Sequence, residues 1–405
     1  MNARNRRPAL ATLALGVAAA AAPPAWADAA WEFTPTIEAG YLYDDNYRLT
    51  PPGTEIEVQG PVVDAALEMR TITPTNEFSF TPRVHATYFS GESELDSIDY
   101  FGVFDYRHRG QRVETQVRAD FADQEVVNSE QPDADIDSGL GEPVFGDAGR
   151  VLVANRRTRY ALRPQVSWDL NQRNDVELEA GYTNVSFDRA IPQAQVGFNT
   201  TDLAAGLRTR MTERSTLTSR LRAAMYEIEF EDVTRAYGAE FQWDTRGARD
   251  TRSFFRVGAQ NVEMPEGGTE LAWLAGAGVS MVMGRNELFA DLARNVGPSS
   301  AGAVVTRDQL RLRFTRAFTP RLSLQAGLRG THDADIDTTS TLQPRSYATG
   351  NVGFEWRWQE EWSLRFAYDY TWQKFEDALL DDATSSGAMA SIVYQPLQRS
   401  RQRDE

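Results

Sequence analysis

Arginine is the side chain with the clearest chemical pattern in this chain, because it recurs at alternate positions of several short segments. If these segments are β-strands, alternate residues share one face of a sheet. Guanidinium groups gathered on one face attract anions through charge and through paired hydrogen bonds to carboxylate or phosphate. We therefore expect the following arginines to line a water-filled interior: Arg83, Arg112, Arg118, Arg159, Arg163, Arg208, Arg210, Arg220, Arg222, Arg256, Arg311, Arg313, Arg329, Arg357 and Arg365.

Carboxylates share the predicted interior face with the arginines. They are Glu114, Asp120, Asp169, Glu177, Glu179, Asp202, Asp291, Glu355 and Asp369. Ion pairs between the two sets would hold a large wall rigid, whereas a surplus of arginine would act on anionic solutes. The sequence leaves both roles open.

Two acidic triplets form a second pattern. Asp133, Asp135 and Asp137 recur as Asp333, Asp335 and Asp337 in a later predicted loop. Alternating carboxylates could gather a hard divalent cation through oxygen ligands, but neither triplet has the spaced glycine or the closing glutamate of a calcium loop. We expect a solvated acidic rim, keep these six as weak metal candidates, and predict no cofactor.

The residue types of hydrolytic chemistry are scattered. His85, His108 and His332 show no metal-binding spacing, and Ser323 and Ser391 have no base near them in the sequence. The chain is therefore predicted not to be an enzyme.

The elements that must position these side chains are eighteen short segments in which apolar and polar residues alternate. Eight tight turns fall near 74–76, 109–111, 171–174, 212–215, 246–249, 284–286, 319–321 and 359–361. Nine longer connections fall near 44–60, 91–96, 124–154, 188–199, 231–235, 263–269, 295–306, 332–344 and 376–386. Strict alternation of turns and loops predicts an all-β, transmembrane, antiparallel, up-and-down β-barrel of about 18 strands, with the turns and both termini in the periplasm.

The N-terminus has the pattern of an export signal. Arg4, Arg6 and Arg7 precede an apolar stretch at 9–22, and an A-x-A cleavage site follows at 25–27. We predict a signal peptide at 1–27, one outer-membrane barrel domain at 28–397, and a polar C-terminal tail at 398–405. The chain has no cysteine, so disulfides and cysteine-ligated metals are excluded.

Composition narrows the possible partners. The formal net charge is -16, which argues against nucleic acid. After the signal, no segment approaches the roughly 20 apolar residues of a spanning helix. The outward faces of the predicted strands are apolar, and aromatic residues such as Trp356, Trp362 and Trp372 have the positions of membrane girdles. Outer-membrane lipid of a Gram-negative cell is the predicted partner.

The first predicted strand carries a family resemblance. The run from Thr34 to Tyr41, followed by Tyr43-Asp44-Asp45-Asn46, resembles the opening of the "β-barrel porin 2" type of outer-membrane protein, whose first strand ends in a Y-x-D-N phrase. This resemblance implies an outer-membrane conduit for exopolysaccharide beside a periplasmic export component. The predicted arginine lumen would suit an anionic glycan as its cargo.

Three functions remain open at this point. The first is the exopolysaccharide conduit, in which Phe89, Phe101, Tyr226 and Tyr347 would offer stacking surfaces to sugars. The second is a diffusion porin for small anionic solutes. The third is a non-conducting structural or adhesive barrel whose interior is filled by loops, of which 124–154 is the longest.

Overall fold

The structure is a computed structural model that describes residues 31–130, 154–191, 195–248, 250–265, 267–336, 344–375 and 382–396. Eighteen strands form one antiparallel sheet, and β1 pairs with both β2 and β18, so the sheet closes on itself. The predicted all-β barrel is confirmed. Its strands are β1 (Trp31–Asp44), β2 (Val58–Ile72), β3 (Asn76–Thr87), β4 (Ser97–Arg109), β5 (Val113–Glu125), β6 (Arg156–Asp169), β7 (Asn174–Phe187), β8 (Phe198–Arg210), β9 (Ser215–Ile228), β10 (Thr234–Arg246), β11 (Arg252–Glu263), β12 (Thr269–Met283), β13 (Asn286–Ser299), β14 (Ala303–Thr319), β15 (Leu322–Asp335), β16 (Arg345–Arg357), β17 (Trp362–Phe375) and β18 (Ala383–Tyr394).

Alternation along each strand separates an apolar outer face from a polar inner face. On β17, Phe366, Tyr368 and Tyr370 are exposed on the outside, whereas Arg365 points inward and pairs with Glu38. The apolar run from Trp362 to Trp372 covers ten residue steps. At about 3.3 Å per residue and a tilt of about 45°, it spans about 23 Å, close to the height of the apolar band of outer-membrane barrels.

Aromatic residues border this band on both sides. Several tryptophans lie on the outer face near the tight turns, and several tyrosines lie on it near the longer loops. The tryptophans are Trp31, Trp168, Trp243, Trp356 and Trp362; the tyrosines include Tyr41, Tyr43, Tyr100, Tyr160 and Tyr237. Amphipathic rings of this kind favour the borders between lipid and water. Among the described residues, no helix is long and apolar enough to cross a membrane.

Two predicted loops are shorter than the sequence suggested. The predicted connection 295–306 is mostly strand, because β13 continues to Ser299 and β14 begins at Ala303. The predicted connection beginning at residue 332 overlaps β15, which ends at Asp335. The cause in the second case is a lateral ion pair: Arg307 and Asp333 are direct register partners with two contacts of 2.6 Å. Asp333, which the sequence analysis placed in a loop, thus extends the pairing between β14 and β15.

The barrel has a turn side, where the tight turns lie, and a loop side, where the longer connections lie. At the loop side, the connections fold into the barrel mouth. A group that we call the seam cluster is buried there and consists of Tyr47, Leu49, Val58, Phe89, Leu95, Val126, Val127, Tyr347 and Ala383. The β1–β2 loop (45–57) and the β3–β4 loop (88–96), which contains a short 3-10 turn at Ser93–Leu95, supply four of these residues. Burying apolar loop residues stabilises this inward position.

The Asp44-Asp45-Asn46 phrase of the sequence holds the β1–β2 loop in place. The Asn46 side-chain amide donates to the carbonyl of Thr384 at the end of the barrel seam, and to the carbonyl of Thr50 within the loop, both at 2.9 Å. Asp44 accepts from the Ser385 hydroxyl at 2.8 Å. The phrase therefore ties the first loop to the last strand.

A second buried group, the hairpin cluster, lies on the opposite part of the mouth. It consists of Val185, Val196, Phe198, Tyr226, Ile228, Ala236, Val262, Ala272 and Val304. Phe187 packs against both clusters. The two clusters together narrow the loop side of the interior, whereas the middle of the barrel carries charged side chains.

Candidate functional site: the barrel interior

The structure places the predicted interior arginines on the inner face, with one correction. Arg112 lies in the β4–β5 turn and is exposed, because β5 begins only at Val113. Its main-chain carbonyl accepts a hydrogen bond from the Asp169 amide at 2.8 Å. The prediction that Arg112 lines the interior is wrong. The other fourteen arginines occupy inner-face positions of their strands.

A first group of these arginines forms a paired network on β7 to β11. Glu177 contacts Arg208 at 2.6 Å and Arg220 at 3.1 Å. Glu240, whose side chain is 1% exposed, lies 3.4 Å from both Arg220 and Arg222. Each buried carboxylate contacts at least two guanidinium groups, so most of the positive charge of this network is neutralised within the wall. We call this network the brace, because its ion pairs hold neighbouring strands together.

Glycines opposite the charged residues keep this network flat against the wall. Arg256 and Gly276 are direct register partners, and a Cβ at Gly276 would lie 3.2 Å from the Arg256 Nε. Arg256 extends over this glycine to donate to Asn295 Oδ1 at 2.8 Å. Arg220 lies over Gly206 in the same way. Flat side chains leave the centre of the lumen to water.

A second group of arginines has the opposite arrangement, because like charges face each other. Arg118 on β5 is the direct register partner of Arg163 on β6, and Arg311 on β14 is the direct partner of Arg329 on β15. Like charges at directly opposed positions destabilise a sheet. The two pairs lie nine strands apart in a barrel of 18, so they occupy opposite walls.

The pair on β14 and β15 carries the larger concentration of positive charge. Arg313 shares its face, and the Arg311 and Arg313 guanidinium carbons lie 5.4 and 5.3 Å from the centre of the Phe289 ring. Asp291 lies 3.3 Å from Arg311. We call Arg311, Arg313 and Arg329 the arginine pole. All three cations lie on the inner face of β14 and β15, next to the strand that carries Asp291.

The inner face also carries carboxylates that the sequence analysis did not assign to it. Glu38 pairs with Arg365 at 2.6 Å, Asp64 with Arg83 at 2.6 Å, and Asp105 lies 4.0 Å from Arg118. The alternation in β1 and β2 was enough to predict inner positions for Glu38 and Asp64, because Tyr41 and Val63 lie on the opposite, outer face of these strands. The interior is thus a mixed surface of ion pairs with local positive patches.

The four aromatics predicted to stack against sugars are placed differently from one another. Phe89, Tyr226 and Tyr347 are 6%, 5% and 3% exposed, because they pack in the seam and hairpin clusters. Phe101 lies on the inner face with the Arg83 guanidinium 5.3 Å from its ring centre. The first three rings serve as packing at the mouth.

The acidic triplets do not form a visible cation site. Asp133, Asp135, Asp137 and Asp337 lie outside the described residues. Asp333 and Asp335 lie on the inner face of β15, and Asp333 is committed to Arg307. Within the described part of the chain, no group of three or more histidine, aspartate or glutamate side chains is arranged to hold a metal ion.

The three histidines lie at separate points of the wall. His85 Nδ1 is 3.2 Å from Asp64 Oδ2, His108 Nδ1 is 2.8 Å from Asn76 Oδ1, and His332 Nδ1 is 2.9 Å from the Ser346 hydroxyl. Ser391 contacts Glu38 rather than a histidine. The structure brings none of these pairs together into a shared centre.

Tyr47 connects the mouth to the strands below it. Its hydroxyl donates to Asn128 Oδ1 at 2.9 Å, and the Asn128 amide donates to Asp99 Oδ2 at 2.6 Å. Burial raises the pKa of the Tyr47 phenol well above its ordinary value, and nearby Asp99 adds to the effect. The phenol is therefore held neutral and fixed as a donor.

No family model and no curated protein matches the chain, so the resemblance to exopolysaccharide-associated barrels has no support from these comparisons. The fold is similar to Pseudomonas aeruginosa OccK2 (OpdF) in complex with glucuronate, at 13% identity and a TM-score of 0.44 over 91% of this chain and 98% of that one. It is also similar to P. aeruginosa OpdK with vanillate, at 13% identity and a TM-score of 0.46 over 91% and 98%. Acinetobacter baumannii OccAB3 gives 10% identity and a TM-score of 0.44 over 90% and 99%.

Proposed function

We propose that this chain is an outer-membrane channel for small anionic solutes. The observation that carries the proposal is the arginine pole, in which Arg311 and Arg329 face each other with Arg313 beside them. An oxyanion placed between two opposed guanidinium groups removes their repulsion and accepts hydrogen bonds from both. The arginine pole is therefore suited to attracting anions as they pass through the lumen.

Placement in the outer membrane is supported by the outer face. Its apolar band of about 23 Å is bordered by aromatic residues on both sides. Exposed side chains such as Leu221 and Phe366 would be unfavourable in water. The predicted signal peptide and the periplasmic position of both termini belong to this proposal.

The mouth favours small solutes. The seam and hairpin clusters occupy opposite parts of the loop side and meet through Phe187. A polymer would need a continuous track of accessible rings, but Phe89, Tyr226 and Tyr347 are buried. The exopolysaccharide conduit, with its glycan cargo and periplasmic partner, is therefore the less supported proposal, and diffusion of small anions is favoured.

Reversal potentials test this function. Purified protein is inserted into a planar bilayer that separates two potassium chloride concentrations. We expect conductance with a reversal potential of the sign that chloride permeation produces. A reversal potential of the opposite sign, which indicates that potassium permeates better than chloride, would overturn the proposed anion selectivity. A complete lack of conductance by folded barrels, whose folding is verified by heat-modifiable gel migration, would instead favour the structural or adhesive barrel.

A further inference from the structure

The barrel wall is interrupted between β12 and β13 on the loop side. The register between these strands ends at Ala275 opposite Arg294. Beyond that point, β12 continues along β11 as far as Thr269, and β13 continues along β14 as far as Ser299. Residues 269–274 and 295–299 thus share no ladder with each other. A strand edge in a barrel wall presents backbone donors and acceptors that another molecule can satisfy.

The tip of the β13–β14 hairpin does not close this gap, because it is held inside the barrel. Val296 and Val304 have the phase of the outer face, yet both belong to the apolar packing of the hairpin cluster. The Tyr226 hydroxyl donates to the Val296 carbonyl at 3.3 Å, and the Val196 amide donates to the Ser300 carbonyl at 2.7 Å. Contacts from β9 and from the β7–β8 loop thus keep the tip away from β12.

A cavity of about 180 Å³ occupies this gap. Leu271, Trp273, Arg294 and Thr306 line it from outer-face positions, and Glu270 and Asp335 line it from the side of the lumen. An apolar cavity of about 150 Å³ holds one benzene ring, so this volume accommodates one six-membered ring. The cavity opens on the outer face, where Leu271 and Trp273 are exposed.

The lining selects the chemistry of that ring. The Trp273 indole is 56% exposed and offers a flat face to the C–H edge of a saturated ring. The carboxylate of Glu270 and the hydroxyl of Thr306 can bond to ring hydroxyls or to an amine, and Asp335 adds negative charge to the lining. The one guanidinium, Arg294, lies 4.0 Å from the Trp273 ring centre and is bonded along its Nε–Nη2 edge to Asp308, which neutralises its charge. Two carboxylates against one committed cation disfavour an anion.

The position of the cavity indicates how the ring would be attached. Leu292 and Leu310 are direct register partners on the outer face, two residues toward the turn side from Arg294 and Asp308. The cavity therefore lies where the apolar band ends, which is the depth of lipid headgroups. An alkyl tail could rest on the leucines while its headgroup reaches the gap.

From this arrangement we propose that the gap between β12 and β13 is a binding site for a neutral or amine-bearing pyranose headgroup of a membrane amphiphile. The site opens on the outer face and does not depend on the proposed channel activity. The headgroup satisfies part of the exposed β12 edge, and Trp273 supplies its stacking surface.

Native mass spectrometry of the intact barrel tests the proposal. The protein is prepared in an oligo-oxyethylene detergent with an octyl tail, and octyl β-glucoside is then titrated into it. We expect a saturable glucoside adduct on the wild type. Trp273→Ala should weaken it at least about tenfold, an amount that corresponds to about 1.4 kcal/mol. Thr306→Phe, which fills the cavity and leaves Trp273 in place, should weaken it similarly.

Trp243→Ala provides the matched control, because Trp243 is an exposed outer-face tryptophan on the turn side of β10. It should bind octyl glucoside as the wild type does. Equal binding by the wild type and by both cavity variants would overturn the proposal. So would tighter binding of octyl sulfate than of octyl glucoside. Methyl glucoside at the same concentrations should give no adduct, and saturable binding of this tail-free sugar would overturn the assignment to an amphiphile.

Discussion

Arg311 lies directly opposite Arg329 across β14 and β15, and both side chains are more than nine-tenths buried. Two like charges in this position raise the free energy of the sheet, and burial increases the effect because the local dielectric is low. The paired arginines of β7 to β11 show that this wall can neutralise its cations with carboxylates. At the arginine pole three arginines lie close together on one face, and Asp291 lies 3.3 Å from Arg311.

The first prediction concerns the arginine pole. Replacing Arg311 and Arg313 by glutamate should lower the anion preference of the pore, because two cations become two anions at one point of the lumen. We expect the permeability ratio of chloride to potassium to fall by about tenfold or more, read from the reversal potential. Arg311→Gln with Arg329→Gln should give a smaller decrease in the same direction.

The control for this prediction is Arg294→Gln, which removes a cation from the outer face instead of the lumen. Its selectivity should equal that of the wild type. If Arg311→Glu with Arg313→Glu leaves the ratio unchanged in barrels that migrate as folded, the arginines of the pole act only as wall structure.

The second prediction concerns Glu240, whose carboxylate lies within 3.8 Å of Arg220, Arg222 and Arg256. Glu240→Gln removes one charge from a buried network and leaves its cations uncompensated. The free energy of unfolding should fall by about 3 kcal/mol, measured by guanidinium unfolding in micelles. Glu114→Gln breaks pairs with Arg107 and Arg109 at a site whose carboxylate is 44% exposed. That control should change the free energy of unfolding by less than about 1 kcal/mol. An equal loss in both variants would contradict the claim that the buried network stabilises the barrel more than an exposed ion pair does.

The third prediction concerns Gly276. An added Cβ lies 3.2 Å from both Arg256 Nε and an edge carbon of Phe254, so Gly276→Ala should displace the guanidinium from Asn295. The free energy of unfolding should drop by about 1 kcal/mol, the worth of one such hydrogen bond. Gly350→Ala on the outer face meets its nearest atoms at 3.7 and 3.8 Å, which is ordinary contact. This control should be neutral or slightly stabilising. Equal stability of the two variants would show that Arg256 does not need the space over Gly276.

The fourth prediction concerns pH and Tyr47. Because the folded pKa of this phenol is raised, its neutral form stabilises the folded mouth fully below the ordinary value of about 10, and this contribution declines as pH rises above that value. Single-channel conductance of the wild type should therefore increase between pH 10 and about 11.5 as the seam cluster loosens. In Tyr47→Phe, which cannot ionise, the conductance should vary less over the same range. Parallel pH curves in both proteins would assign the change to other groups.

The alternation of side chains was enough to predict the barrel, because lipid outside and water inside impose a period of two on every strand. It also placed arginines such as Arg220 and Arg329 on the inner face. It could not say which of them were neutralised, since that depends on the register that sets Arg220 beside Glu177 and Arg311 opposite Arg329. Register is a relation between strands and is not visible within either one.

The same limit explains the other differences. Arg112 continues the polar phase of β5 but lies one residue before the strand, where turn geometry decides its position. Tyr226 and Tyr347 continue inner phases correctly, yet they are covered by chain segments distant in sequence. The inward hairpin tip at 295–306 contains a Gly-Pro-Ser-Ser run that is typical of a loop, and its attachment to Val196 and Tyr226 is a tertiary contact.

The break in pairing between β12 and β13 has a mechanical consequence for the barrel. Near Val279 and Ala290 a continuous ladder joins the two strands, whereas closer to the longer loops this ladder is absent. Deformation should concentrate where the ladder is absent, so backbone amides of 269–274 and 295–299 should exchange their hydrogens with solvent sooner than the amides of the same strands near Val279 and Ala290, which are paired across β12 and β13. The β12–β13 part of the wall is therefore stiffer near the tight turn than near the longer loops.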